Sequence, residues 1–153
     1  SSTMIRDAIR QADLKTAADL LGWPNDAAWE IENEVVHGDK RGRELGYPTA
    51  NMNLDGFVRP KYGVYAVRVA LNDNSLSPQW LPAVANIGVR PMFEIDTPLC
   101  EVFIFDFNQE IYGQIMRVQP VEYLRGEKRF DGLDALIKQM DKDSAQARTI
   151  LGV

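Results

Sequence analysis

The sequence predicts an all-β fold: a six-stranded antiparallel barrel with a C-terminal helix, preceded by a short helical linker. Three observations predict it. From Trp29 onward, β-branched, aromatic and other apolar residues gather in short runs separated by turn chemistry, which places strands at 29–37, 47–53, 63–71, 80–87, 99–107 and 111–121. No helix-length segment lies between these runs, which argues against the alternating pattern of a parallel nucleotide-binding sheet. Six antiparallel strands with no covering helices between them dispose of their edges best by closing on themselves.

Each element has its own signal. In the first 22 residues Thr3 is positioned to cap a short helix from Met4 to Arg10. Asp13 is positioned to cap a second, with Leu14, Ala17, Ala18 and Leu21 on one side and Gly22 as a stop. Trp23, Pro24, Asn25 and Asp26 break the pattern, so residues 1–26 read as a linker or docking appendage rather than a domain, and 27–153 as the folded unit. Val64 to Leu71 is the firmest strand. Asn72-Asp73-Asn74 and Asn108-Gln109 are hairpin-turn candidates. Pro60, Pro78, Pro82 and Pro91 fall near strand ends or require local irregularity. The last element is a helix over 131–150, capped by Asp131 with Asp134 at the third position. Its stripe of Leu133, Leu136, Ile137, Met140, Ala147 and Ile150 is expected to pack on the barrel.

Composition narrows the function. At 153 residues, with 45% apolar and 25% charged residues, the chain can bury a real core. The net charge of -5 and a single short basic cluster, Lys40, Arg41 and Arg43, disfavour a nucleic-acid groove but suit one phosphate chain. There is no apolar run of membrane-spanning length and no basic-then-apolar leader, so neither a membrane nor a nucleic acid is expected as partner. A lone Cys100 makes no internal disulfide, which favours a cytoplasmic setting. It reads as a small buried hydrophobe, and the single His37 as a loop-stabilising residue. With one histidine and one cysteine, a zinc site or a Ser-His-Asp triad is hard to assemble.

The densest chemical signal is the stretch from His37 to Asn51. Gly38, Gly42 and Gly46 give the loop unusual backbone freedom, and exposed amides with Lys40, Arg41 and Arg43 can cradle phosphate oxygens. A hairpin with solvated charges would also explain the glycines. Thr49 and Asn51, two apart on an extended strand, point to one side and offer the hard oxygens that Mg²⁺ takes, or else bond to nearby backbone. Glu101 shares a strand face with Leu99, Phe103, Phe105 and Phe107. It is either a partly desolvated general base or the partner of an arginine such as Arg68 or Arg90. Asn86-Ile87-Gly88-Val89-Arg90-Pro91 either frames a planar ligand, with Arg90 on a polar edge, or turns a barrel corner. Tyr123-Leu124-Arg125 either lines a pocket or packs the helix down.

Together these segments resemble the riboflavin kinase family. The resemblance is densest from Gly38 through Pro48-Thr49-Ala50-Asn51. It continues at Gly63-Val64-Tyr65, Asn86 to Pro91, Glu101 to Phe107, Ile111-Tyr112-Gly113 and Tyr123 to Phe130, and covers 29–150. It implies a six-stranded barrel that converts riboflavin and ATP to FMN and ADP. Thr49 and Asn51 are then the Mg²⁺ ligands and Glu101 the general base. The loop with Gly38, Lys40, Arg41, Gly42, Arg43, Gly46 and Pro48 surrounds the nucleotide phosphates. Residues from Asn86 to Phe93, with Arg90, match a mobile loop by the active site. The region 123–137, with Tyr123 and Arg125, matches part of the isoalloxazine site, and a barrel mouth is expected to supply the flavin slot. Ser1 to Arg6 resembles the end, and Leu20-Leu21-Gly22 the following linker, of the FMN adenylyltransferase module of bifunctional bacterial enzymes. The chain therefore reads as a kinase module without that partner module. Asn33-Glu34, Met92 and Phe103 depart from the usual pattern, which has a glycine-containing pair, a threonine and a histidine there. The alternative reading is a flavin- or nucleotide-binding barrel without turnover.

Overall fold

The computed structural model describes residues 2–20, 29–36, 49–89 and 98–153. Two short helices, α1 (Ser2–Arg10) and α2 (Leu14–Leu20), precede six strands: β1 (Ile31–Val36), β2 (Ala50–Asn53), β3 (Gly63–Leu71), β4 (Leu81–Val89), β5 (Pro98–Ile104) and β6 (Ile115–Arg125). A long helix, α3 (Leu133–Leu151), ends the chain. The strands pair antiparallel in the order β1-β2-β5-β4-β3-β6 and close into a barrel, as the sequence predicts. Among the described residues, no helix is long and apolar enough to cross a membrane.

Alternation along the strands divides the wall into two faces. Tyr65, Val67, Val69, Ala83, Ala85, Ile87, Cys100, Val102, Met116 and Val118 point inward and are fully buried. This interior is a packed core. The outward face carries a second cluster in which Ala147, Ile150 and Leu151 of α3 pack against Ala66, Val84, Phe103 and Phe105. The departure at Phe103 thus fills an apolar seat, its ring edge-to-face with Phe105 at 5.7 Å.

Several boundaries differ from expectation. β3 coincides with the predicted span, but β5 stops at Ile104 because Phe105 and Asp106 turn, Asp106 with φ 55 in the left-handed region. Asn108 and Gln109 are exposed loop residues rather than a tight hairpin, and β6 starts at Ile115. It continues to Arg125, past Pro120, because two register shifts against β3 absorb irregular residues. Gly63 faces the second shift. A Cβ there would collide with the Arg125 carbonyl and the Tyr123 ring, and its φ of 149 favours glycine.

The predicted Asp13 cap is present, with the Thr16 amide donating to Asp13 Oδ1 at 3.2 Å. Thr3, by contrast, lies inside α1. Leu21 and Gly22 lie outside the described residues. Asp131 is not the cap of α3: Gly132 holds that position, in an extended conformation without a side-chain bond. The predicted stripe also divides. Ala147 and Ile150 pack on the barrel, whereas Leu136, Ile137 and Met140 are half-exposed and Leu133 is 46% exposed.

Candidate functional site

One register row runs around the outer wall and crosses every strand. Val36 of β1 faces Asn51 of β2, Asn51 faces Glu101 of β5, Glu101 faces Asn86 of β4, Asn86 faces Val64 of β3, and Val64 faces Arg125 of β6. The adjoining row, Ala50, Val102, Ala85 and Tyr65, points inward. The polar residues are therefore forced outward by the pleat. These candidate residues lie on the wall, since the interior is filled by side chains. It also lies two residues along β3, β4 and β5 from Ala66, Val84 and Phe103, the seat of α3.

At the centre of the row Thr49, Asn51 and Glu101 come together. The Thr49 hydroxyl donates to Glu101 Oε1 at 3.2 Å. Asn51 is only 3% exposed, and Glu101 is half-buried between the two asparagines. The arrangement gathers a hydroxyl, an amide and a carboxylate. Arg68 is not a neighbour of that carboxylate: it is exposed and faces Pro82, four residues along β4 from Asn86. Asn86 is a member of the constellation that the sequence did not single out as a site residue. Its signal was a lone polar residue in the apolar run Ala83 to Val89.

The Tyr123 and Arg125 side chains are engaged within the fold. The Tyr123 hydroxyl donates to the Tyr62 carbonyl at 3.2 Å, and its ring meets Tyr65 edge-on at 5.2 Å, with Lys61 Nζ 4.6 Å from its centroid. Arg125 grips α3. Its Nε donates to Asp143 Oδ1 at 2.9 Å, its second terminal nitrogen to Oδ2 at 2.7 Å, and its first to the Gly126 carbonyl at 2.9 Å. Gln139 also donates to Asp143 Oδ1, at 2.8 Å, so this nearly buried carboxylate is satisfied from two elements. Beyond Asn86 on the same face, Gly88 leaves a notch that the Glu127 carboxylate occupies. Cys100 faces inward, and burial pushes its thiol up to about 12. His37, Gly38, Lys40, Arg41, Gly42, Arg43, Gly46, Pro48, Arg90 and Met92 lie outside the described residues.

The family model Flavokinase, described as riboflavin kinase, matches residues 26–151. This chain belongs to the riboflavin kinase family. It is 39% identical over 151 residues to the bifunctional riboflavin kinase/FMN adenylyltransferase of Bacillus subtilis, and 42% identical over 148 residues to the protein of the same name from Haemophilus influenzae. Those alignments cover 96% and 97% of the chain but only 45% and 46% of the relatives, so this riboflavin kinase module spans about half their length. A crystal structure from Streptococcus pneumoniae, named a macrolide-efflux protein, is 40% identical with a TM-score of 0.80, covering 97% of this chain and 46% of that one. The riboflavin kinase of Trypanosoma brucei shares the fold at 23% identity and a TM-score of 0.57, over 80% of this chain and 79% of that one.

Proposed function

We propose that the chain transfers the γ-phosphoryl group of ATP to the ribityl 5′-hydroxyl of riboflavin, giving FMN and ADP. One observation carries the reading. In a chain of this family, Thr49, Asn51 and Glu101 converge from two paired strands onto one patch of the outer wall. Glu101 accepts the hydroxyl proton as the oxygen attacks the γ-phosphorus in line, and the bond to the bridging oxygen breaks to release ADP. The Thr49 hydroxyl, donating to Oε1, orients the carboxylate.

The donor set fits Mg²⁺. Thr49 and Asn51 offer hard oxygens, and among the described residues no group of three or more His, Cys, Asp and Glu side chains forms a cage for a different metal. Bound there, Mg²⁺ supplies charge neutralisation to phosphate oxygens. We assign phosphate binding to Gly38, Lys40, Arg41, Gly42, Arg43, Gly46 and Pro48, and a polar substrate contact to Arg90. Tyr123 and Arg125 go to the flavin side, where Arg125 anchors the helix whose half-exposed Leu136, Ile137 and Met140 offer an apolar surface for a ring.

We further place the kinase domain at 27–153 and a linker at 1–26, a division supported by a family match that starts at residue 26. In the parent protein we place an FMN adenylyltransferase module alongside, on the strength of the relatives' names and their greater length. We put the reaction in the cytoplasm, the compartment that supplies ATP and suits an unpaired cysteine.

The deciding experiment incubates the purified chain with Mg-ATP, with and without riboflavin, and measures ADP and FMN. Equal amounts of both products, dependent on riboflavin, are expected. A folded chain that binds riboflavin yet forms no FMN would instead be a binding module.

A further inference from the structure

The outer-wall row contains a group that none of these roles uses. Asn86 lies directly opposite Glu101 on β4, as Asn51 does on β2. Its side-chain oxygen is buried and accepts no hydrogen bond among the described residues. A buried acceptor without a donor is costly, and such groups in native proteins call for a reason. The flanking residues of β4 are apolar: Ala85 and Ile87 point into the core, and Val84 packs under α3. An apolar side chain at position 86 would suit those neighbours. Among the described residues the other buried side-chain atom without a partner, Ser144 Oγ, lies within α3, where a hydroxyl can rotate toward the preceding turn. Asn86 has no such local recourse on a strand.

We propose that Asn86 is a specificity-determining residue of the acceptor site. Its side-chain oxygen accepts a hydrogen bond from the secondary hydroxyl next to the reacting end of the ribityl chain, so that the terminal hydroxyl is the one delivered to Glu101. The inference rests on the kinase reading and deepens it. Facing residues on paired antiparallel strands have Cβ atoms about 4.5–5.5 Å apart, so the amide and the carboxylate address neighbouring positions on one bound molecule. Both are acceptors, and neighbouring hydroxyls of a polyol supply a donor to each. Phosphate oxygens bring no proton at neutral pH and cannot satisfy an amide oxygen, so the donor comes from a hydroxyl beside the one delivered to Glu101 rather than from the phosphate chain.

The test is Asn86→Leu, which keeps the branch point and the number of side-chain heavy atoms and removes the acceptor. Riboflavin and 4′-deoxyriboflavin are compared by quenching of flavin fluorescence and by single-turnover phosphorylation. Asn86→Leu is expected to weaken riboflavin binding and kcat/KM about 10-fold, to leave 4′-deoxyriboflavin at the wild-type level, and to leave the thermal midpoint unchanged or higher. The midpoint of the Mg²⁺ titration stays in place. Equal losses on both flavins, a displaced Mg²⁺ midpoint, or a lower thermal midpoint with intact kinetics each overturn the assignment. If Asn86→Leu does not fold, Asn86→Ala serves the same comparison. Wild-type protein in the same assay separates the two readings: absence of riboflavin-dependent ADP removes the kinase reading, while the binding comparison still judges Asn86.

Discussion

Glu101 takes its chemistry from its row, since amides face it from both neighbouring strands and a hydroxyl donates to one of its oxygens. Glu101→Gln keeps the shape and removes the proposed base. Single-turnover phosphorylation should fall about 10²-fold or more, with riboflavin and Mg-ATP binding little changed. A near-normal rate in the folded variant excludes the role. Thr49→Ala and Asn51→Ala should each raise the Mg²⁺ concentration needed for half-maximal turnover while circular dichroism stays native, and unchanged Mg²⁺ titrations in both would remove the metal assignment. On the opposite face of β5, burial raises the Cys100 thiol from 9.0 to about 12, and burial moves the Tyr65 hydroxyl the same way. Both groups are neutral in the folded state, so their contribution is fully present below about pH 9. It is lost as pH climbs toward the raised values, because the unfolded chain gives up these protons first. Cys100 should resist a disulfide thiol reagent at pH 8 until denaturant is added, and Cys100→Val should flatten the fall in thermal midpoint above pH 9. Equal reactivity in native and denatured protein contradicts this.

Strand β6 and helix α3 work as a pair, joined where the register shift beside Gly63 brings Arg125 into the Glu101 row. The Arg125–Asp143 bridge is largely buried, with side chains 18% and 6% exposed, so removing one partner strands the other. Asp143→Ala should cost about 3 kcal/mol, a drop of roughly 10 °C in thermal midpoint for a domain of this size, and should raise the KM for riboflavin more than that for ATP. Restoration of the midpoint by Arg125→Leu combined with Asp143→Leu would assign the loss to the stranded charge. No change in Asp143→Ala would deny the helix this anchor. The same pair shows what the sequence could and could not convey. β3 was readable because Val64, Tyr65, Val67 and Val69 give it a β-branched and aromatic run, and Thr49 with Asn51 because a spacing of two fixes a common side. The end of β6 was not, because the register shifts that carry the strand on to Arg125 are set by β3. Arg125 read equally well as pocket lining or helix anchor, since Asp143 is eighteen residues away. Asn86 was hidden for a similar reason, as its facing partner, Glu101, is fixed by cross-strand register rather than by any local spacing.

At the scale of the molecule, closing six strands fills the barrel with side chains and turns Asn51, Asn86 and Glu101 to its outer wall. The segment read as a linker adds to that core rather than hanging from it. Ala8, Ile9 and Ala17 are buried in the same cluster as Trp29 and Ile31, with Ile9 only 2% exposed. Those two helices thus act as cover for the barrel, and this bears on what the chain can make. FAD requires a second reaction, in which the FMN phosphate attacks the α-phosphorus of another ATP and pyrophosphate leaves. That attack needs its own nucleotide site, with the α-phosphorus rather than the γ-phosphorus presented to the nucleophile. The riboflavin kinase match occupies residues 26–151, most of this chain. The relatives named for both activities are about twice as long as this chain. Purified chain supplied with riboflavin and excess Mg-ATP should therefore accumulate FMN, with one ADP per FMN and no pyrophosphate. Chromatography of the flavins and a pyrophosphate assay on the same sample check it. Sustained FAD and pyrophosphate from FMN and ATP, scaling with the amount of this chain, would locate adenylyl transfer on the barrel wall itself and overturn the division of labour.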